Sequence, residues 1–416
     1  MDRELAAKLE NLSRVFTPHK PIDLPDLLSG RLPLLYEAED AINTDGLHLI
    51  LYGDRGTGKT SLARVMGHVV QQADRVDGRR VLMASCDSSD NYTAIWRRVF
   101  QEVLTPDRQL GFYMDQREMA THRLADFDSS DPNDVRLMVQ SLPNPTVIII
   151  DEFDRVPQAT DARRLMADTI KLFSDRGVHS TIVLVGVADS TGELIAEHES
   201  IARNITEIQV EPMALDELAG IVRKGYGKVG LDFEVGVPAE IAHMSQGYPH
   251  YTHLLGLWSG RQAVQDSRTR VTDADLAAAI PEALRKATGN VRQEYAQAVA
   301  SSQPGALFDE VLLACALAQK DSLGKFSTTD LRTPLKLIMG RDVPIGAYQQ
   351  HLAKFCEPER GPILKKSGKK RTYRWRFTDP QVIPYIIIRA RQDGLLKPSA
   401  TEPQQLSLLS PTAPQD

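Results

Sequence analysis

The residues Gly53-Asp54-Arg55-Gly56-Thr57-Gly58-Lys59-Thr60 fit the pattern G-x-x-x-x-G-K-[ST] at every fixed position, and Ser61 opens a helix-period stretch behind them. Glycines let a backbone curl until several N–H groups point at one phosphate, and the positive end of the following helix strengthens that field. A lysine at this spacing bridges β- and γ-phosphates, and the hydroxyl after it is a ligand for Mg2+. Gly53 through Ser61 are therefore expected to contact ATP, with Lys59 catalytic and Thr60 on the metal.

A second acidic feature follows at Val147-Ile148-Ile149-Ile150-Asp151-Glu152, an apolar run ending in two carboxylates. Asp151 is placed to share Mg2+ with Thr60. Glu152 is placed to polarise an attacking water, which is general-base work. A nucleotide binder that does not hydrolyse has no use for the glutamate, so the pair points to a Mg2+-dependent ATPase.

These groups need a scaffold, and the hydrophobic pattern supplies one. Short apolar runs at Leu47–Tyr52, Val81–Ala84, Thr146–Ile150, Thr181–Val187 and Ile205–Val210 alternate with helix-period stretches. That alternation predicts an α/β fold with a parallel five-stranded sheet buried on both faces. The organisation reads as an N-terminal arm (1–45), a nucleotide-binding core (46–212), a helical lid (213–300), a further unit (301–395) and a disordered tail (396–416).

Composition narrows the class. Of the 416 residues, 42% are hydrophobic and 25% charged, and the longest apolar runs are of strand length, so no segment is expected to span a membrane. The start, Met1-Asp2-Arg3-Glu4, is acidic where a signal peptide is basic, and Cys86, Cys315 and Cys356 are isolated. Cytoplasmic residence is the expectation. The net charge of -6 divides unevenly. Residues 365–376 hold seven basic side chains and no acidic one: Lys365, Lys366, Lys369, Lys370, Arg371, Arg374 and Arg376.

With its two motifs and the Gly30-Arg31 that precedes them, the chain resembles AAA+ ATPases, particularly the branch of origin-recognition-type initiators. STAND-type switch ATPases are a neighbouring resemblance. The family implies a polar residue after the fourth strand near the γ-phosphate (sensor 1). Asp189 holds that place, unless it caps the helix beginning near Thr191. It implies an arginine before the fifth strand that reaches the neighbouring subunit's nucleotide in a homo-oligomer. Arg203 matches that position, or is a surface arginine. In Gly247-Tyr248-Pro249-His250, the place of the lid's sensor 2 arginine is taken by His250, and Pro249 resembles the proline that abuts the base in STAND proteins. His250 and His253 could alternatively form a metal pair, or a polar cluster at a helix start.

Residues 305–392 read as a winged helix. Helices at Ala306–Ala318, Leu331–Met339 and Pro344–Phe355 precede strands at Ile363–Lys366 and Thr372–Phe377, joined by a glycine turn. Alternation along the last strand puts Tyr373 and Trp375 inward and Arg374 outward. Lys365, Lys366, Lys369, Lys370, Arg371 and Arg374 would then meet duplex DNA phosphates, or a protein. On the helix 344–355, Gln349, Gln350, His351 and Lys354 are the base-edge candidates. The resulting expectation is an oligomeric DNA-binding ATPase of initiator or loader type. The competing one is a STAND-like signalling or antiphage-defence ATPase with a protein partner, towards which the acidic stretch Asp126–Asp131 leans.

Overall fold

The computed structural model describes residues 3–22, 30–73, 79–104, 127–188, 191–195, 201–303, 305–321, 323–369 and 372–397. Asp189, Lys370, Arg371, Asp126 and the expected tail from 398 onward lie outside them. The chain forms two compact units, one of Pro21–Asp54 and Gly58–Glu211, the other of Met1–Lys20, Arg55–Thr57 and Pro212–Asp416.

The first unit is built on a five-stranded sheet of β1 (His48–Gly53), β2 (Arg80–Ser85), β3 (Thr146–Asp151), β4 (Ser180–Val187) and β5 (Ile205–Gln209), in the order β2-β3-β4-β1-β5. Every pairing is parallel. The pleat sorts side chains by parity. Ile50, Ile148, Ile150, Ile182 and Leu184 enter one core, beneath the helices Tyr92–Leu104 and Ala162–Asp175. Leu49, Leu51, Val147, Ile149 and Val183 enter the other, beneath Leu32–Ile42 and Lys59–Ala73. Strands covered on both faces must be apolar at consecutive positions, which is why they were visible as uninterrupted runs. The order reverses at β1, whose neighbours are β4 and β5, so the loop leaving β1 opens at the carboxyl edge where ligands of such sheets bind.

The main hydrophobic core of the second unit runs continuously from Leu12 and Phe16 through the helices of 215–299 to the C-terminal elements, beside a small cluster around Met213 and Leu218. Helix Val382–Gln392 explains the continuity. Its Val382, Ile383, Ile386, Ile387 and Ile388 are all buried, so it is covered on more than one side. Residues 213–300 and 301–395 thus share a core. The residues read as one arm also divide: the helix Arg3–Val15 packs into this core through Leu12, whereas Leu32–Ile42 covers the sheet of the first unit.

Short two-residue strands β6 (Asp232–Phe233) and β7 (Arg270–Val271) pair in parallel. Further on come helix Phe308–Leu317, β8 (Phe326–Ser327), helices Arg332–Met339 and Ile345–Lys354, then β9 (Leu364–Ser367) and β10 (Arg374–Phe377), the three strands antiparallel in the order β8-β10-β9. No described helix is long and apolar enough to cross a membrane.

Candidate active site

The phosphate loop begins where β1 ends. Gly53 has φ +139°, and a Cβ on it would lie 2.5 Å from the Val210 carbonyl oxygen, so only glycine fits against the strand running beside it. Gly58, at φ +96°, turns the chain into the helix Lys59–Ala73, whose first turn closes as Leu62 N–H donates to Gly58 O over 2.9 Å. Lys59 is 7% exposed, and its Nζ donates to Gly53 O (2.9 Å) and Asp54 O (2.7 Å). The ammonium thus sits over its own loop, where phosphate oxygens would replace the carbonyls. Thr57 is buried, and Arg55–Thr57 is grouped with the second unit. Ser61 is committed locally, its hydroxyl accepting from Ile22 N–H at 3.2 Å.

Asp151 closes β3 and is 4% exposed. Burial pushes its pKa up; the Glu152 N–H, the Thr60 hydroxyl and the Lys59 charge pull the other way. Its Oδ1 accepts from Glu152 N–H at 2.8 Å. A buried carboxylate against a threonine hydroxyl is a hard-oxygen pair suited to Mg2+, which keeps most of its waters and needs few protein ligands. Among the described residues no group of three or more His, Cys, Asp or Glu side chains could hold a metal. Glu152 adopts a left-handed conformation (φ 55°, ψ 33°) and pairs with Arg155 Nη1 at 2.9 Å, both side chains half exposed.

Loop, lysine, threonine and paired carboxylates therefore stand at the carboxyl ends of β1 and β3, the two strands that flank β4. Residues 30–179 match the AAA ATPase domain family. That stretch of the chain, with the phosphate loop in it, carries an AAA ATPase domain. No curated protein matches the sequence. The fold is shared over nearly the whole chain with three solved structures. The Aeropyrum pernix ORC2 protein, in ADPNP–ADP complexes, is 15% identical with TM-score 0.51, covering 91% of this chain and 98% of that one. The Aeropyrum pernix ORC1 protein in complex with DNA is 14% identical with TM-score 0.50, covering 91% and 96%. A Walker-type ATPase of Pyrococcus abyssi is 16% identical with TM-score 0.51, covering 89% and 99%.

Outside the phosphate loop of this AAA ATPase domain, the expected residues fare unequally. Arg203 lies in a 3-10 turn before β5 with its side chain 78% exposed, and its contact with Asp175 is a loose 3.6 Å. His250 and His253 hold the N-terminal segment: His250 Nδ1 donates to Pro18 O at 2.6 Å, and His253 Nδ1 accepts from Thr17 N–H at 3.3 Å. Burial lowers both pKa values, that of His253 to about 4. They are a structural latch, and the metal-pair alternative has no third ligand among the described residues. Pro249 begins the helix Pro249–Gln265, where its missing N–H costs nothing.

Lys365, Lys366, Lys369 and Arg374 are exposed, while Trp375 is buried and donates from Nε1 to Thr328 Oγ1 at 3.2 Å. Lys366 Nζ lies 3.5 Å from the Tyr373 ring centroid. His351 departs from expectation: it is 8% exposed, edge-on to Phe308 at 4.7 Å, and so is no base-edge candidate. The acidic stretch is also absorbed locally. Asp128 pairs with Arg97 at 2.7 Å, and Asp131 caps the helix Pro132–Gln140.

Three further residues brace the site: the sequence singles out Arg31 only through the Gly30-Arg31 resemblance and assigns Asp154 and Arg163 no role. Arg31 is buried and donates to Glu211 O at 2.6 Å, tying the approach to the AAA ATPase domain to the exit of β5. Asp154 and Arg163 bind the turn after β3 to the end of β4. Glu211 and Val187 lie 180 and 33 positions from Arg31 and Asp154, and such backbone partners leave no spacing signature.

Proposed function

We propose that the chain is an ATP-driven switch: it binds and hydrolyses ATP, assembles with further copies of itself, and grips duplex DNA through a winged helix in residues 301–395. The observation that carries the reading is Asp151 meeting Thr60 at the strand end beside Lys59. Backbone N–H groups of the loop hold the triphosphate, and Lys59 moves from the Gly53 and Asp54 carbonyls onto phosphate oxygens. Mg2+ held by Thr60 and Asp151 would neutralise charge on the β- and γ-phosphates. Glu152 orients and polarises the water. Asp189 is proposed to sense the γ-phosphate, and Arg203 of a neighbouring copy to neutralise transition-state charge, so that hydrolysis depends on assembly. Pro249 and His250 stand as proposed nucleotide contacts at the lid.

Two observations support the DNA half. The basic side chains of β9 and β10 face outward while Trp375 and Phe377 are buried. The ORC1 protein that shares this fold was solved with DNA. With exposed cations and buried aromatics, affinity comes from phosphates of a duplex rather than from stacking on bases. DNA-binding isotherms across salt concentrations, for wild type and a Lys369/Lys370/Arg371 triple-alanine variant, test this. The expected result is binding near about 100 mM salt and a log K–log salt slope shallower by up to about 3 in the variant. No binding, or an unchanged slope, overturns the DNA role and favours a protein partner.

A further inference from the structure

The Asp151–Arg155 turn has to hold Glu152 in a left-handed backbone conformation, which is unfavourable for a non-glycine residue. Such strain persists only where surrounding contacts enforce it. The Glu152–Arg155 pair is half exposed on both sides and so contributes little to holding the turn. The enforcing contacts are elsewhere. Asp154 Oδ1 accepts from Val187 N–H, at the end of β4, over 2.8 Å. Gly186 leaves room for this: a Cβ there would sit 3.2 Å from Asp154 Oδ1 and 2.5 Å from Leu194 Cδ2. From the helix Ala162–Asp175, the Arg163 guanidinium donates to Asp154 O and Val156 O, each at 3.2 Å, and to Glu193 O. One planar fork therefore ties the turn after β3 to the short helix Thr191–Leu194 that follows β4.

We propose that Asp154 and Arg163 are positioning residues for hydrolysis, clamping the Glu152 turn to the end of β4 and to the Thr191–Leu194 helix. The proposal rests on Glu152 being the water-polarising group. Neither residue is placed against nucleotide, so the clamp governs turnover and not ATP affinity.

The test is steady-state ATP hydrolysis by the full chain, with binding of a fluorescent ATP analogue and circular dichroism as controls. Asp154→Ala should lower kcat at least about 10-fold while KM and analogue affinity stay within about 3-fold, because a displaced general base costs rate rather than binding. Asp154→Asn retains an oxygen for the Val187 N–H and should keep most activity. Arg163→Lys should fail like Arg163→Ala, since one ammonium cannot span three carbonyls. Wild-type kcat in Asp154→Ala, a loss confined to KM, or equal damage in Asp154→Asn would each overturn the clamp. If Asp154→Ala does not fold, the Arg163→Lys variant decides in the same way. Glu152→Gln separates the two readings. If that variant is inactive and Asp154→Ala is unimpaired, the clamp alone fails; if it turns over at the wild-type rate, the Glu152 reading fails and takes the clamp with it.

Discussion

Phe16 is seated in a slot made by Gly225 and Gly256, with Gly260 making room beside it for Leu12. A Cβ on Gly225 would lie 2.4 Å from Phe16 Cζ, and one on Gly256 2.6 Å from Cε1; on Gly260 it would lie 2.9 Å from Leu12 Cδ2. The ring also stands edge-on to Tyr226 at 5.3 Å. Phe16→Ala empties a fully buried site and should cost about 3–5 kcal/mol. Gly256→Ala gains about 1 kcal/mol of helix propensity but overpacks the slot by about 1–3 kcal/mol, a net cost of about 1. In the Phe16→Ala background the clash is gone, so the same alanine should stabilise by about 1 kcal/mol. The sign reverses, a coupling of about 2 kcal/mol. Urea unfolding followed by tryptophan fluorescence, to which Trp258 on the same helix as Gly256 contributes, reads all four corners of the cycle. A Gly256→Ala effect of equal size and sign in both backgrounds would refute the slot, as would a Phe16→Ala cost below about 1 kcal/mol.

Two further outcomes follow from buried groups. His48 Nδ1 accepts from Ile182 N–H at 2.9 Å inside the sheet, and burial lowers its pKa to about 4, as it does for His253. The unfolded chain takes up these protons first, so stability is full above about pH 6.5 and falls as pH drops towards 4, by about 2 kcal/mol per histidine at pH 5. Urea midpoints at pH 7 and 5 should diverge less in His48→Asn than in wild type; identical divergence would contradict the assignment. Gly53→Ala forces a Cβ to within 2.5 Å of Val210 O, so it should both destabilise the sheet unit by more than about 2 kcal/mol and lower affinity for ATP. Thermal melts with and without nucleotide check it, and a wild-type melt with intact binding would count against the loop geometry described.

How much was legible depended on whether the determinant was local. The phosphate loop and the Asp151-Glu152 pair are written in consecutive residues, and strands covered on both faces show as unbroken apolar runs. The inward Trp375 and outward Arg374 followed from alternation alone. What stayed hidden depends on distant partners. The spacing of Leu5, Leu9 and Leu12 predicts a helix but not its berth, because the berth is assembled from Gly225, Gly256 and Gly260 on two other helices. His351 looked like a polar recognition residue until Phe308, more than forty positions earlier, covered its ring. The role of Asp154 depends on the amide of Val187, which any residue but proline would offer.

The central claim, that this phosphate loop and its carboxylates hydrolyse ATP, is tested most directly by phosphate release from Mg2+-ATP with wild type, Lys59→Ala and Glu152→Gln, each paired with a nucleotide-binding measurement. The account predicts hydrolysis by wild type, lost binding in Lys59→Ala, and retained binding with kcat down by at least about 100-fold in Glu152→Gln. Wild-type turnover in Glu152→Gln, or ATP binding that survives Lys59→Ala unchanged, would contradict it.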